Sequence, residues 1–180
     1  PLLLHIIEKL KEEGFKEVYI SVYYLKQKIK DYFLDGSRFG IKINYIEEQT
    51  LMGTVGSLSL IKKNFEDSFF LINCDVITRL NFREMMIFHD KNKSDATMAI
   101  KNFESINPYG VIKSKNNRFK NFEEKPSIFF NINAGIYFFK PSIINIIKKN
   151  KLTTIPELFE FLKSENKKIF TYPMFENWVD

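Results

Sequence analysis

The sequence predicts an α/β fold with a mostly parallel sheet flanked by helices. Residues 69–75 read FFLINCD, an apolar run that ends abruptly on the carboxylate of Asp75. An apolar run of this length, without alternation, is typical of a strand buried on both faces, as parallel sheets require. Helical and strand patterns alternate around this run, and 180 residues suffice for one domain with a full core. These observations favour a single parallel-sheet domain.

The elements of the first half follow one another in a regular order. Strands are predicted at residues 18–22, 41–46 and 69–75, and Gly14 is well placed to end the helix before them. A glycine-containing turn at residues 52–56 leads into a helix that carries Leu58 and Ile61. Asn81 and Glu84 resemble a capping box that opens another helix. The apolar positions that predict the first two helices are Leu3, Ile6, Ile7, Leu10, Leu25, Ile29 and Phe33. This order implies parallel strands with helices on both faces of the sheet.

The second half has a more antiparallel character. Its predicted strands lie at residues 96–100, 109–113, 118–123, 133–139 and 168–172. Turn signals separate them at Asn107–Pro108, Asn116–Asn117 and Lys125–Pro126. One helix is predicted after Pro141 and another after Pro156. No repeat, linker or low-complexity segment divides the chain.

Composition excludes several classes of protein. The net charge is +5, from 27 Lys and Arg against 22 Asp and Glu, but the lysines are scattered, so nucleic-acid binding is not expected. No apolar run approaches the ~20 residues that a membrane span needs, so no membrane partner is expected. Cys74 is the single cysteine, which excludes an internal disulfide and suits a cytoplasmic setting. Its place in a strand predicts inert packing.

Two aspartates are the candidates for chemistry. Asp75 follows an apolar strand, and Asp180 follows the apolar step Trp178–Val179. Two carboxylates at strand ends can hold one divalent cation against phosphate oxygens. The alternative for either aspartate is a turn or a helix cap. With His5 and His89 scattered and one cysteine, a zinc site is not expected.

Seven motifs, in order, resemble the sugar-1-phosphate nucleotidyltransferase family. They are YFLDGSRFGIKINYIEE at 32–48, LMGTVGS at 51–57, FFLINCD at 69–75, NPYGVIK at 107–113, FEEKP at 122–126, NAGIYFF at 133–139 and WVD at 178–180. The resemblance implies a Rossmann-like fold with a more antiparallel sugar-binding half. It also implies transfer of a nucleoside monophosphate from an NTP to a sugar 1-phosphate, with release of pyrophosphate and with Mg²⁺ as cofactor.

The finer likeness is to bacterial guanylyltransferases that make GDP-sugars. It implies GTP as the favoured nucleotide, with glucosamine 1-phosphate or mannose 1-phosphate as acceptor, in nucleotide-sugar biosynthesis for surface polysaccharide. UTP, dTTP and CTP remain alternatives, and the sequence leaves the sugar and the oligomeric state open, a homo-oligomer included.

The chain departs from the family pattern at its beginning. The family's first strand, its GGxGTRL-like loop and the following Pro-Lys segment are absent, and relatives continue past WVD with Ile-Gly. Residues 1–180 are therefore expected to be a single nucleotidyltransferase domain truncated at both ends, with the central first strand missing. A gap is expected between the strands at 18–22 and 69–74. We expect the excerpt to be inactive alone, with its sheet incomplete or repaired by swapping with a neighbour.

The resemblance assigns roles to individual residues. Asp75 and Asp180 are the implied metal ligands, and Lys125 would meet the sugar phosphate, so these three are the catalytic candidates. The implied nucleotide-binding residues are Glu48, Gly53 and Thr54, and the implied sugar-binding residues are Tyr109, Gly110, Glu124, Asn133 and Gly135. From the residues alone, Gly53 could equally serve an ordinary turn, and Glu124 with Lys125 could be a solvated surface pair.

Two other functions compete with this interpretation. The first is a non-catalytic nucleotide- or sugar-binding regulatory module of the same fold. The second is a flavodoxin-like or response-regulator-like domain, which also places an aspartate at a strand end. The second does not explain the EEKP and NAG segments, at 123–126 and 133–135.

Overall fold

The computed structural model describes residues 1–179. The α-helices are α1 Leu2–Glu12, α2 Lys26–Phe33, α3 Gly53–Gly56, α4 Phe82–Lys91 and α5 Ile155–Ser164. The strands are β1 Glu17–Val22, β2 Lys42–Glu47, β3 Phe69–Ile72, β4 Ile77–Thr78, β5 Ala96–Ile106, β6 Val111–Lys115, β7 Arg118–Glu123, β8 Ser127–Phe139, β9 Ile169–Met174 and β10 Trp178–Val179. Short 3₁₀ segments lie at Ser37–Phe39, Ser57–Leu60 and Pro141–Ile146.

The predicted α/β class is confirmed, and the strands form both parallel and antiparallel pairs. β1 and β2 are parallel neighbours, with Glu17 opposite Lys42 and Val22 opposite Glu47. The largest sheet has the order β3-β8-β5-β9. In it β5 and β9 are parallel, whereas β8 runs antiparallel to both of its neighbours, β3 and β5. The antiparallel character therefore enters with β8, in the half of the chain where it was predicted.

A cavity separates β1 from β3, where the sequence predicts a gap. The two strands belong to different sheets. The cavity has a volume of about 580 Å³ and is lined by Val18 and Ile20 of β1, by Phe69 and Phe70 of β3, and by one face of α1. All four residues of β3 are consequently half-buried. The strand predicted at residues 69–75 is present over residues 69–72. Phe70 and Ile72 pack against one apolar cluster and Phe69 and Leu71 against the other, so both faces are covered, but each residue is only half-buried and one edge of β3 opens onto this cavity.

Local sequence signals explain where the helices begin and end. The Asn81 side chain accepts a hydrogen bond from the backbone N–H of Glu84, which confirms the predicted N-cap of α4. Thr154 and Glu157 form a full capping box at the start of α5. Gly14 has φ +91° and follows α1, as expected of a residue that ends a helix in the left-handed region.

Several predicted boundaries shift in the structure. The segment after the glycine turn is a single helical turn, α3, followed by a 3₁₀ turn that ends at Leu60, so Ile61 lies beyond it. The helix predicted after Pro141 is also of 3₁₀ type. β5 and β8 extend well past the predicted residues 96–100 and 133–139, because they continue as a long antiparallel ribbon.

Two apolar clusters stabilise the fold. One lies between α1, β1, α4 and the large sheet, and the other lies between α3, α5 and the opposite face of that sheet. His89 of α4 is fully buried against the ring of Phe138, and its Nδ1 lies 2.8 Å from the Thr97 hydroxyl oxygen, so it is a packing residue of the core. No helix within the described residues is both long and apolar enough to cross a membrane.

Candidate functional site

The turn that carries Asp75 is hydrogen-bonded to the turn that carries Gly135. β3 ends at Ile72, and the backbone N–H of the next residue, Asn73, donates to the carbonyl oxygen of Gly135 across 2.9 Å. The Val76 N–H donates back to the Asn73 carbonyl across 3.4 Å, which closes a turn around Cys74 and Asp75. The buried side chain of Val76 anchors this turn in the core, and the turn presents Asp75 at the surface.

Gly135 lies in a bulge between β5 and β8. Met98 pairs with Tyr137 and Ile100 pairs with Asn133, so a single residue of β5 faces three residues of β8. Gly135 takes φ +70°, and a Cβ at this position would lie 2.9 Å from the side-chain nitrogen of Asn73. Glycine is therefore required both by the backbone conformation and by the close approach of the Asp75 turn.

The side chain of Asn133 fixes the shape of this bulge. Its Oδ1 accepts from the Gly135 N–H at 3.0 Å, and its Nδ2 donates to the Tyr137 hydroxyl at 2.6 Å. Both ends of the amide are thus engaged within the protein. A second acceptor site remains on Oδ1, since an amide oxygen has two lone pairs. Asn133 holds the bulge in place, and its predicted sugar contact stays a prediction.

The last described strand docks onto the same place. Val179 of β10 pairs with Ile77 of β4, two residues after Asp75. The indole N–H of Trp178 donates to the carbonyl oxygen of Ala134 at 2.9 Å, and the Arg79 N–H donates to the Asn177 carbonyl oxygen at 3.1 Å. The structure therefore brings together the segments FFLINCD, NAG and the first two residues of WVD. Asp180, the predicted second metal ligand, lies outside the described residues.

Asp75 and Cys74 both face solvent in this turn. Asp75 forms no side-chain hydrogen bond or ion pair with residues 1–179, so its oxygens are accessible to a ligand. Partial burial and the negative charge of Asp75 raise the pKa of the Cys74 thiol. The prediction that Cys74 packs inertly inside a strand is wrong, because the strand ends two residues earlier and leaves the thiol exposed.

Glu48 is buried, and two donors satisfy its carboxylate. The hydroxyl of Ser21, in β1, donates to Oε1 at 2.6 Å, and the backbone N–H of Met52 donates to Oε2 at 2.9 Å. These bonds tie the end of β1 to the turn before α3. Glu48 therefore has a structural role that the resemblance did not suggest, and its predicted contact with a nucleobase stays a prediction.

The two glycines around α3 have an internal reason for being glycine. Gly53 takes φ +71°, and a Cβ there would lie 2.8 Å from the Thr153 carbonyl oxygen. A Cβ on Gly56 would lie 2.5 Å from the Lys151 carbonyl oxygen. The close approach is thus to the backbone of residues 151–153. Thr54 is exposed, so it remains accessible to the predicted nucleotide.

A third group of predicted residues lies where β5 and β8 are followed by the β6–β7 hairpin. The Asn107 side chain accepts from the Tyr109 N–H at 3.0 Å, which fixes the turn before Gly110. The Glu124 carboxylate lies close to Gly110. A Cβ placed on Gly110 would be 3.1 Å from Oε2 of Glu124. Lys125 is exposed and takes φ +43°. Within residues 1–179, neither Glu124 nor Lys125 forms an ion pair.

The predicted residues thus fall into three groups. They are the Asp75–Asn133–Gly135 group, the Glu48–Gly53–Thr54 group and the Tyr109–Gly110–Glu124–Lys125 group. No hydrogen bond or ion pair joins the side chains of one group to those of another among the described residues. In that same part of the chain, no cluster of three or more His, Cys, Asp or Glu side chains could hold a metal by itself.

Sequence reasoning missed the residues that connect these segments. Ser21 and Asn73 act through a hydroxyl and a backbone amide, and Lys101 donates to the Glu176 carbonyl oxygen at 2.7 Å to hold the loop before β10. Asn73 was visible as a polar residue inside an apolar run. Ser21 and Lys101 carried no comparable signal.

Comparison with known proteins places the chain in a family. The family model described as "Nucleotidyl transferase" matches residues 1–180. The chain belongs to the nucleotidyl transferase family. "Probable mannose-1-phosphate guanylyltransferase 1" of Oryza sativa subsp. japonica is 32% identical over 189 residues, which cover 100% of this chain and 52% of that protein. "Mannose-1-phosphate guanylyltransferase catalytic subunit beta" of Xenopus tropicalis is 30% identical over 188 residues, with the same coverage of both chains. The chain thus spans about half the length of these curated relatives.

Solved structures show the same nucleotidyl transferase fold. HddC from Yersinia pseudotuberculosis superposes with a TM-score of 0.74 at 20% identity, over 100% of this chain and 79% of that one. A putative glucose-1-phosphate thymidylyltransferase from Bacillus anthracis, in complex with a sucrose, also gives a TM-score of 0.74 at 20% identity, over 100% of this chain and 76% of that one. At such identities the likeness concerns the fold alone.

Proposed function

We propose that the protein transfers GMP from GTP to a hexose 1-phosphate and releases pyrophosphate. One observation carries the proposal: a hydrogen bond joins the Asp75 turn to the Gly135 bulge, and β10 pairs with β4 directly after that turn. It joins an accessible carboxylate to a glycine turn at one edge of an α/β sheet, where such folds bind ligands. The names of relatives at 30–32% identity favour GTP, and they favour mannose 1-phosphate as acceptor over glucosamine 1-phosphate.

The proposal assigns a divalent cation, Mg²⁺, to Asp75 and Asp180. The carboxylate of Asp75 is exposed and has no ion pair among residues 1–179, and it fits this role because Mg²⁺ binds one or two protein carboxylates and keeps its remaining sites for water and phosphate oxygens. Further support comes from the pairing of Val179 with Ile77, since Asp180 follows Val179 in the sequence. When bound, the cation would neutralise negative charge on the phosphates.

The remaining proposed roles are divided among residues of all three groups. Lys125, an exposed ammonium, would bind the sugar phosphate, and Glu124 would accept from sugar hydroxyls. Tyr109 and Gly110 lie beside Glu124 and would complete the sugar contacts with Asn133 and Gly135. Glu48, Gly53 and Thr54 would border the nucleotide.

The reaction requires the protein to position its two substrates, and it needs no covalent intermediate with the protein. An oxygen of the sugar phosphate forms a bond to the α-phosphorus of GTP, and the bond from that phosphorus to the oxygen bridging to the β-phosphate breaks. Pyrophosphate leaves with the electron pair of that bond. The proposal includes a cytoplasmic setting, in which the exposed Cys74 thiol stays reduced, and a place in nucleotide-sugar biosynthesis.

Pyrophosphate release by the complete protein tests this function. GTP, UTP, dTTP and CTP are each combined with mannose, glucosamine and glucose 1-phosphates in the presence of Mg²⁺. We expect release only when both substrates are present, with kcat/KM at least about tenfold higher for GTP than for the other nucleotides. Calorimetric GTP binding without turnover for any pair would contradict the proposal and assign a non-catalytic binding module.

A further inference from the structure

One side chain of β5 holds the loop that leads into β10. The ammonium of Lys101 donates to the carbonyl oxygen of Glu176 at 2.7 Å and to that of Phe175 at 3.2 Å. Lys101 is also the last residue of β5 that pairs with β9, opposite Met174. Its side chain therefore extends the contact between these two strands to the next two residues of the chain. A lysine ammonium has three donors, and the two carbonyl oxygens occupy two of them.

The loop at residues 175–177 has few other attachments within residues 1–179. The Phe175 side chain is 87% exposed, and the Glu176 carboxylate accepts from the Phe175 N–H inside the loop itself. The Asn177 carbonyl oxygen accepts from the Arg79 N–H at 3.1 Å. Because no apolar side chain of the loop is buried, its hydrogen bonds to other segments determine where it lies.

β10 needs such support because it is short. Over the described residues its ladder with β4 consists of the pairs Trp178–Thr78 and Val179–Ile77. A two-stranded pairing is only marginally stable in water, even when it is longer than this one. Trp178 adds apolar packing and the bond from its indole N–H to the Ala134 carbonyl oxygen. The bonds of Lys101 act directly before this strand, so they limit how far it can move.

The attachments of this segment converge on the bulge that also holds Asp75. Lys101 pairs with Ile132, next to the irregular stretch of β8 that contains Ala134 and Gly135. The Asp75 turn is bonded to the same stretch through the Gly135 carbonyl oxygen. A shift of the loop relative to this bulge would therefore move β10 relative to Asp75.

We propose that Lys101 is a positioning residue for divalent-cation binding. It holds the loop at residues 175–177 and so sets the position of β10 beside the Asp75 turn, and Asp180 follows β10 in the sequence. The proposal rests on the proposed function, in which Asp75 and Asp180 bind the cation. Residues that orient metal ligands change metal affinity or activity by roughly 10–100-fold when they are removed.

Lys140 offers a matched control for the loss of a lysine that joins two segments. Its ammonium donates to the Asp95 carboxylate at 2.9 Å and to the Lys93 carbonyl oxygen at 3.5 Å. It lies six residues beyond Ala134, which is about 20 Å along an extended strand. Lys140→Met therefore removes a comparable structural contact away from the candidate site.

Electron paramagnetic resonance of Mn²⁺, used in place of Mg²⁺, measures cation binding without turnover. In the complete protein, Lys101→Met should raise the Mn²⁺ dissociation constant at least about tenfold. Lys101→Arg retains a cationic donor and should recover most of this loss. Lys140→Met should leave the constant unchanged. A wild-type constant in Lys101→Met, or an equal increase in Lys140→Met, would overturn the proposal.

Hydrogen exchange of the Trp178 indole N–H measures the docking of β10 itself. Nuclear magnetic resonance of protein labelled with nitrogen-labelled tryptophan follows this group, and Trp178→Phe identifies its signal. Because the N–H bonds to the Ala134 carbonyl oxygen, its exchange should accelerate at least about tenfold in Lys101→Met and stay unchanged in Lys140→Met. Unaltered exchange in Lys101→Met would show that Lys101 does not position β10.

Steady-state kinetics distinguish a failed role of Lys101 from a failed transfer function. In Lys101→Met the apparent Mg²⁺ constant for pyrophosphate release should rise about tenfold, while KM for GTP changes less than about threefold. An unchanged Mg²⁺ constant would contradict the role of Lys101. A wild-type protein that releases no pyrophosphate would contradict the transfer function, and the Mn²⁺ and exchange measurements would still decide the role of Lys101.

Discussion

The backbone N–H of Asn73 donates to the carbonyl oxygen of Gly135 across 2.9 Å, and this bond joins the two motifs that the proposed chemistry needs. Asn73 leads directly into the Asp75 turn, and Gly135 is the centre of the β8 bulge. The position of the candidate metal ligand therefore depends on the conformation of a glycine 60 residues away in sequence, which only the folded sheet brings close.

Replacing Gly135 with alanine should disrupt this junction. The new Cβ would meet the Asn73 side chain at 2.9 Å and a methyl of Val76 at 3.0 Å, in addition to the unfavourable φ of +70°. We expect a loss of about 1–3 kcal/mol in the free energy of unfolding, measured by urea titration. Gly14→Ala is a matched control, since Gly14 has φ +91° with nothing within 4 Å of its Cβ position. Equal losses in the two variants would show that the contact with Asn73 contributes nothing.

The two hydrogen bonds accepted by the buried Glu48 carboxylate should contribute to the free energy of unfolding. Glu48→Gln keeps the shape but removes the charge, so the Ser21 hydroxyl must turn to accept from the new NH₂ group and both charge-assisted hydrogen bonds become neutral ones. We expect about 1–3 kcal/mol of destabilisation in urea unfolding. Glu47→Gln is the control, because Glu47 makes exposed ion pairs with Lys26 and Lys30, and it should cost less than about 1 kcal/mol. If Glu48→Gln unfolded like the wild type, the buried network would have no structural role.

Cys74 should react with thiol reagents in the folded protein. Because desolvation and the Asp75 carboxylate raise its pKa, the thiolate fraction is small at neutral pH, and the alkylation rate should keep rising as pH increases beyond 9. Asp75→Asn should speed labelling at pH 8, since it removes a negative charge that opposes thiolate formation. Iodoacetamide kinetics followed by mass spectrometry measure both effects. Labelling that requires denaturant would contradict the exposed position of Cys74.

His89 should make the protein sensitive to mild acid. Burial, and to a lesser degree the charge of Lys140, lower its pKa, although Asp90 and Asp95 oppose this shift. As pH falls below about 6.5, the ordinary pKa of histidine, the ring binds a proton in the unfolded chain but not in the folded protein, so the free energy of unfolding decreases. The slope is at most about 1.4 kcal/mol per pH unit for this one group.

Urea unfolding at pH 7.5 and 5.5 checks this sensitivity. His89→Phe should lose less stability between the two pH values than the wild type, because its side chain does not titrate. His5→Gln is the control and should lose as much as the wild type, since His5 is exposed near the start of α1. A His89→Phe variant with an unchanged pH dependence would assign the sensitivity to another group.

Much of this fold is predictable from local sequence signals. The cap Asn81, the strand Arg118–Glu123 and the turn signal at Asn116–Asn117 all follow from the chemistry of neighbouring residues, and they match the structure. The outer half of β8 was missed, because an exposed strand rich in phenylalanine lacks the alternation that marks a half-buried one.

The candidate site is less predictable than the fold, because its geometry is tertiary. The bulge at Gly135 sets three residues against one across two strands, which no local spacing reveals. The exposure of Cys74 depends on where β3 ends, which is two residues before the thiol. The resemblance supplied Asp75 as a metal ligand and Asn133 with Gly135 as sugar contacts, but it did not supply the Asn73 amide that connects their segments.

The central claim is that Asp75 serves a divalent cation at the site of transfer, and the Mg²⁺ dependence of pyrophosphate release by Asp75→Asn in the complete protein tests it most directly. The substitution preserves shape and removes the charge, so we expect kcat to fall at least about a hundredfold while the urea midpoint stays unchanged. Asp31→Asn, at an exposed site on α2, should retain wild-type turnover. Full magnesium-dependent turnover by Asp75→Asn would contradict the account.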